Sequence, residues 1–284
     1  MKLEYKKYGL RWSRCIDNII LILYNWKMIQ MIIMDLDGTL LNLDKNVSEY
    51  SISILEKCKK KGIKIAFATA RSKKSVERIV NLIKPDFLIL NGGGLVINKD
   101  EKIMYKKILS IKTSNGIINK LSKIKNNGYI TIETINNYYV NYNNPAWHSD
   151  YLHGIYCDFS KPLLQKSYKI TAELKNDEII NEIKKEYKDV NILKFSDLNS
   201  YGFFHKKASK LLAIETIIKK EKMQMENIIS FGDDYNDIEM IEKCGIGIAM
   251  ENGINEIKKI AKYICGSNNN DGVANWIENN ILNI

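Results

Sequence analysis

From Met31 onward, short apolar runs alternate with amphipathic segments, and this rhythm constrains the fold more than any other feature of the chain. Strands buried on both faces read as unbroken apolar runs, whereas the helices that cover them carry one apolar stripe. Met31 to Met34, Ile63 to Ala68 and Phe87 to Leu90 fit the first description. The segments between them fit the second. Ser48 is placed to cap a helix bearing Ile52, Leu55 and Cys58 that Gly62 closes, and Val76, Ile79, Val80 and Ile83 share one face of the next. The pattern predicts an α/β fold with a mostly parallel sheet flanked by helices.

The rhythm breaks after Asn91, Gly92 and Gly93. A hairpin-like pair, LVIN and KIMYKKI, turns at Lys99 and Asp100, and residues 109–204 then change character. A helix near Asn115 to Lys125 precedes alternating strands around Tyr129 to Glu133 and Tyr138 to Tyr142, and a similar helix with two strands follows. That recurrence predicts an inserted α+β domain with an antiparallel sheet. The βα pattern resumes at Ala208, with strands at Asn227 to Phe231, Ile246 to Ala249 and Tyr263 to Cys265 and a terminal helix around Val273 to Ile281. Expected boundaries are therefore 31–108 with 205–284 for the core and 109–204 for the insertion. Residues 1–30, basic and then briefly apolar, read as a disordered or loosely packed extension, or as lying upstream of a start at Met28 or Met31. Their apolar run, Ile19 to Tyr24, falls far short of the roughly 20 residues a membrane span needs.

Composition narrows the setting. Five scattered cysteines without a CxxC pair give neither a disulfide framework nor a zinc site, which favours a reducing cytoplasm. The net charge of +10 lies mainly in residues 1–30 (+4) and 31–108 (+6), while 205–284 carry −2. With no arginine-rich or aromatic-interleaved stripe, nucleic acid is not an expected partner, and a membrane is disfavoured.

Chemistry concentrates at strand ends, where ligands of such sheets bind. The first strand runs into DLDGTL, so Asp35 and Asp37 stand two residues apart, a spacing that aims both toward one pocket in extended chain. One carboxylate can attack phosphorus while the other handles protons; the alternative is an Asx-turn that merely ends the strand. The second strand ends in FATAR, where Thr69 and free backbone N–H groups can hold phosphoryl oxygens. A later strand ends in GDDYND, with Asp233, Asp234, Asn236 and Asp237. Acids so crowded suggest an oxygen-ligand Mg²⁺ site, the alternative being an acidic first turn favoured by the helix dipole.

Taken in order, DLDGTL, FATAR, Lys210 in KASKLL and GDDYND resemble the motifs of the haloacid dehalogenase superfamily. NGG ahead of the insertion is similar to the Cof-type branch, subfamily IIB, with a C2B α+β cap on a Rossmann-like core. The resemblance implies a Mg²⁺-dependent phosphatase of small phosphate monoesters such as sugar phosphates. Asp35 would be the nucleophile that forms an aspartyl-phosphate, Asp37 the acid and base, and Thr69 and Lys210 the holders of the phosphoryl group. It places the metal on Asp35, the Asp37 carbonyl and Asp233, with Asp237 in support. Gly38, Thr39, Ala70, Arg71, Asn91, Gly92, Asn236 and Asn252 fall around phosphate and substrate. Ala70 stands where the branch has Gly, Leu211 follows Lys210 where it has Gly, and ENG replaces GNA around Asn252, yet no catalytic side chain is lost. The rival expectations are a sugar phosphomutase and a catalytically silent regulatory or nucleic-acid-binding protein. A monomer or weak homo-oligomer is expected. In the cap, Asn143, Asn144, Trp147, His148 and His153 are candidates for ring or sugar contacts, with core packing or solvent as the alternative.

Overall fold

The computed structural model describes residues 29–124, 128–142, 154–175, 177–195 and 199–283. The cap candidates Asn143, Asn144, Trp147, His148 and His153, and the N-terminal extension up to residue 28, lie outside the described residues.

Strand β1 (Met31–Met34) is wholly buried because both faces of the sheet are covered, which accounts for its unbroken apolar text. It pairs in parallel with β2 (Lys64–Ala68), and β2 with β3 (Phe87–Leu90). The hairpin β4 (Leu95–Asn98) and β5 (Ile103–Lys106) extends that edge in antiparallel fashion. On the other side of β1 come β12 (Ile228–Gly232), β13 (Ile246–Met250) and β14 (Tyr263–Cys265), all parallel.

Helices α1 (Glu49–Lys60) and α2 (Lys73–Ile83) cover one face through a core that includes Ile32, Met34, Leu55 and Ile79. Ser48 caps α1, its side chain accepting from the Ser51 N–H, and Gly62 turns the chain at φ 83° just past its end. Met31 and Ile33 point to the opposite face, where Ala213, Ile214 and Ile217 of the later helix Lys210–Glu221 pack. The alternation of β1 therefore serves two layers of helix.

Between β5 and that helix the chain builds a second unit: α3 (Ile111–Ser122), β6 (Ile130–Thr134), β7 (Tyr138–Val140), β8 (Ile155–Tyr156), β9 (Ser167–Glu173), α4 (Glu178–Glu186), β10 (Val190–Lys194) and β11 (Ser200–His205). Its six strands run in the order β10-β11-β9-β6-β7-β8, antiparallel except for the short β7–β8 pair. Ile132, Ile170, Ala172 and Phe203 turn toward Ile117, Leu121 and Ile183 of the two helices. By the period of two, Glu133, Lys169, Gly202 and Phe204 occupy the other face, over the first sheet.

The two chain crossings are stitched together on the core side. The Tyr105 hydroxyl donates to the Lys207 carbonyl at 2.6 Å, and a Cβ on Gly93 (φ 95°) would lie 2.2 Å from the Ser209 carbonyl oxygen, so only glycine seats there. Helix α5 (Lys210–Glu221) starts at once, capped by Ser209. The rest of the chain adds α6 (Ile238–Lys243), α7 (Asn255–Ile260) and α8 (Gly272–Ile277). Among the described residues no helix is long and apolar enough to cross a membrane.

Candidate active site

The ends of β1, β2, β3 and β12 converge beneath the second unit. Asp35 follows β1 directly, its N–H donating to the Phe231 carbonyl at 3.1 Å, and is 5% exposed. Lys210, delivered by the first turn of α5, reaches across and donates to Asp35 Oδ1 at 2.6 Å and to Asp237 Oδ1 at 2.5 Å. The second Asp237 oxygen accepts from the N–H groups of Asp233 and Asp234 at 3.1 and 3.3 Å. Through these three contacts Asp237 anchors Lys210 and the loop after β12.

Asp233 is set by the DLDGTL turn. Gly38 takes φ 76°, and a Cβ there would lie 2.2 Å from Asp233 Oδ2, so glycine is what lets the turn rest on that carboxylate. Thr39 donates its hydroxyl to Asp233 Oδ1 at 2.7 Å. The Asn252 amide donates to the Gly38 carbonyl at 2.8 Å while its oxygen accepts from the Asn268 N–H at 2.9 Å. Thr39 and Asn252, expected around phosphate, therefore bond to the protein and shape the turn.

Asp37 sits beside this cluster with different partners. Arg71 grips both its oxygens, Nε to Oδ2 at 2.6 Å and the guanidinium end to Oδ1 at 2.7 Å, and Lys45 adds a third contact at 2.9 Å. Thr69 follows β2, is 1% exposed, and its hydroxyl accepts from the Arg71 N–H at 3.1 Å. The Asn91 N–H donates to the Arg71 carbonyl at 2.9 Å and that of Gly92 to the Thr69 carbonyl at 3.0 Å, binding the second loop to the third. Among the described residues, Asn236 Oδ1 is buried without a hydrogen-bond partner.

Electrostatics divides the acids into two sets. Burial, then the charge of Asp237, Asp233 and Asp37, push Asp35 well above the usual carboxylate range against the pull of Lys210. Burial and Asp237 likewise raise Asp233 to about 7, opposed by the Thr39 hydrogen bond and Lys210. Burial would also raise Asp37, but the bonds and charge of Arg71 and Lys45 outweigh it and hold that group at about 2. Lys210 is raised, because Asp237 and Asp35 overcome the burial that would discharge it.

Ligand-capable oxygens of Asp35, Asp233 and Asp237 lie within 4.8 Å of one another. Two buried carboxylates and the half-buried Asp233, with one ammonium among them, make a hard, oxygen-only donor set short of positive charge, which fits a divalent cation. Sequence reasoning missed Lys45, Glu133 and Lys169. Lys45 carries no local signal, whereas the alternation of ITIET and SYKITAE already sets Glu133 and Lys169 apart from the apolar face.

A doubly wound sheet with a buried acid and lysine centre at its strand ends, roofed by an inserted α+β unit, defines a capped α/β enzyme. The family model of haloacid dehalogenase-like hydrolases matches residues 32–277, and the chain belongs to that family. It is 30% identical over 264 residues to a putative phosphatase of Buchnera aphidicola subsp. Baizongia pistaciae, covering 88% of this chain and 97% of that one. It is 26% identical over 259 residues to the 5-amino-6-(5-phospho-D-ribitylamino)uracil phosphatase YcsE of Bacillus subtilis, covering 89% and 96%. A solved haloacid dehalogenase-like hydrolase from B. subtilis superposes with a TM-score of 0.78 at 21% identity, covering 88% and 99%, a likeness of fold.

Proposed function

We propose that the protein is a cytoplasmic, Mg²⁺-dependent phosphatase of small phosphorylated metabolites, such as sugar phosphates, that works through an aspartyl-phosphate on Asp35. The single observation that carries this reading is the clustering of Asp35, Asp233 and Asp237 at the strand ends, with Lys210 buried between Asp35 and Asp237. Asp35, Asp233 and the Asp37 carbonyl would hold the cation, with Asp237 anchoring Lys210. When bound, the cation neutralises charge on the transferring group and keeps Asp35 ionised.

The chain's own groups supply the rest. An Asp35 oxygen attacks phosphorus, the bond from phosphorus to the ester oxygen breaks, and Asp37 gives that oxygen its proton. Water then attacks phosphorus, Asp37 takes its proton, the bond to Asp35 breaks, and inorganic phosphate leaves. As the structure stands Asp37 is a carboxylate clamped by Arg71 and Lys45, the state its second role requires. For the first, Asp37 must gain a proton, which loosening of both the Arg71 and the Lys45 contacts would favour, since these are what lower its carboxyl against burial. Lys210 and Thr69 hold the equatorial oxygens.

The test is a panel of phosphate monoesters with Mg²⁺, together with Asp35→Asn. Turnover should fall at least about 10²-fold in the variant. Acid-quenched wild type should carry one phosphoryl group on Asp35. An intact panel, or near-normal turnover by Asp35→Asn, defeats the reading.

A further inference from the structure

Neighbouring cap strands place an acid and an ammonium opposite each other: in the β6–β9 ladder Glu133 pairs with Lys169. Both belong to the face that looks toward the core. Glu133 is 7% exposed, and a carboxylate withdrawn from water so far needs strong partners. Among the described residues the cap supplies one, Lys169 Nζ at 3.8 Å. The others come from the core: the Ser72 hydroxyl, and the Asn91 amide, which in the orientation its hydrogen bonding dictates donates to both carboxylate oxygens at 3.2 Å. Lys169 in turn donates to the Ala70 carbonyl at 2.9 Å.

Of the core groups reached in this way, Ala70 and Ser72 lie on the loop that carries Thr69 and Arg71, and Asn91 lies on the neighbouring loop after β3. The backbone bonds from Asn91 to Arg71 and from Gly92 to Thr69 tie those loops together. A groove of about 1030 Å³ between α2, the β3–β4 ladder and the β6–β7 hairpin has Ser72, Asn91 and Glu133 in its lining, so solvent lies next to the junction. A buried acid whose dehydration opposes closure, and whose core partners favour it, is suited to making and breaking, where a purely apolar seam would stay shut.

We propose that Glu133 and Lys169 are positioning residues that form a latch: the closed cap fixes the 69–72 and 91–93 loops in the arrangement that grips the phosphoryl group, and opening exchanges Asn91 for water at Glu133. Asn91 thereby serves catalysis through the cap and not as a substrate ligand. The catalytic part of this proposal rests on the phosphatase reading above.

A donor and acceptor swap tests it. Asn91→Asp sets two carboxylates face to face, and aspartate tolerates the left-handed φ of 53° at this position. On p-nitrophenyl phosphate with Mg²⁺, this single variant should lose at least about 10-fold in kcat, and amide hydrogen exchange across residues 69–93 should quicken about as much, the worth of a charge-assisted bond. Adding Glu133→Gln restores the complementary pair in reverse, and both readouts should return to within about threefold of wild type. Should Asn91→Asp alone fail to fold, recovery of a folded, active double variant is the same rescue. Turnover left at the single-variant level while exchange recovers overturns the proposal, as does an unperturbed single variant or a double variant that fails to recover exchange. If wild type cleaves no ester the phosphatase reading fails, and rescue of exchange alone decides the latch.

Discussion

Replacing Lys210 by Met keeps most of the side-chain volume and removes the one ammonium shared by Asp35 and Asp237. At 2.6 and 2.5 Å, and with an effective dielectric of about 20, each pair contributes roughly 6 kcal/mol of attraction. Dehydration of the three buried charges offsets much of that sum. What remains on deletion is the cost of stranding two buried carboxylates, about 3 to 5 kcal/mol. Urea unfolding of the metal-free protein at pH 7.5 should therefore show Lys210→Met destabilised by that amount, with Mg²⁺ recovering part of it. Turnover should drop about 10²- to 10³-fold at saturating Mg²⁺, as when one preorganised donor is lost from a charged transition state. A loss below about 1 kcal/mol, with turnover within threefold of wild type, would refute the idea that Lys210 neutralises this cluster.

Two other consequences can be measured with the same protein. Gly38→Ala combines φ 76° with a Cβ 2.2 Å from Asp233 Oδ2, so Asp233 must move. The Mg²⁺ concentration for half-maximal turnover should rise at least about 10-fold, alongside about 1 to 3 kcal/mol of backbone strain; an unchanged value dismisses Asp233 as a ligand. The pH dependence has a definite sign. Asp233 is raised to about 7 in the folded protein, whereas in the unfolded chain it titrates near ~4. Its stabilising proton uptake is complete below ~4 and is lost as pH rises through about 7. The melting temperature of metal-free protein should fall between pH 5 and 8, and saturating Mg²⁺ should flatten the curve by favouring the ionised acids. A metal-free melting temperature that climbs over this range would contradict the raised acid cluster.

Much of the core could be read in the residues because its strands are buried on both sides. Met31–Met34 and Phe87–Leu90 form strands as their apolar runs predict, and so does the edge strand Tyr263–Cys265, though Tyr263 and Ile264 are exposed. Departures come where tertiary contacts set the limits. The first cap helix begins at Ile111, since Ser110 caps it by accepting from Thr113 N–H, and ends at Ser122, so the expected Asn115 to Lys125 is shifted. The place of β9 between β11 and β6 in the cap sheet was not foreseen, because strand order is set by long-range pairing that alternation within SYKITAE does not encode. Within the site, the acids were legible from type and spacing, and Lys210 through the resemblance of the ordered motifs. The partners of Thr39, Asn91 and Asn252 were not. An amide or hydroxyl near a phosphate motif has the same sequence signature whether it meets ligand or backbone, and only the long-range packing of Gly38 on Asp233 and of Glu133 on Asn91 separates the two.

The stitching of the two crossings has an evolutionary meaning. Tyr105 on Lys207 and Gly93 on Ser209 hold the ends of the insertion close together using core-side residues alone. Lys210 follows immediately, so its ammonium keeps its place whatever polypeptide is spliced between those ends. The placement of Lys210 is thus separated from the make-up of the roof, whereas the 69–72 and 91–93 loops answer to the roof through Glu133 and Lys169.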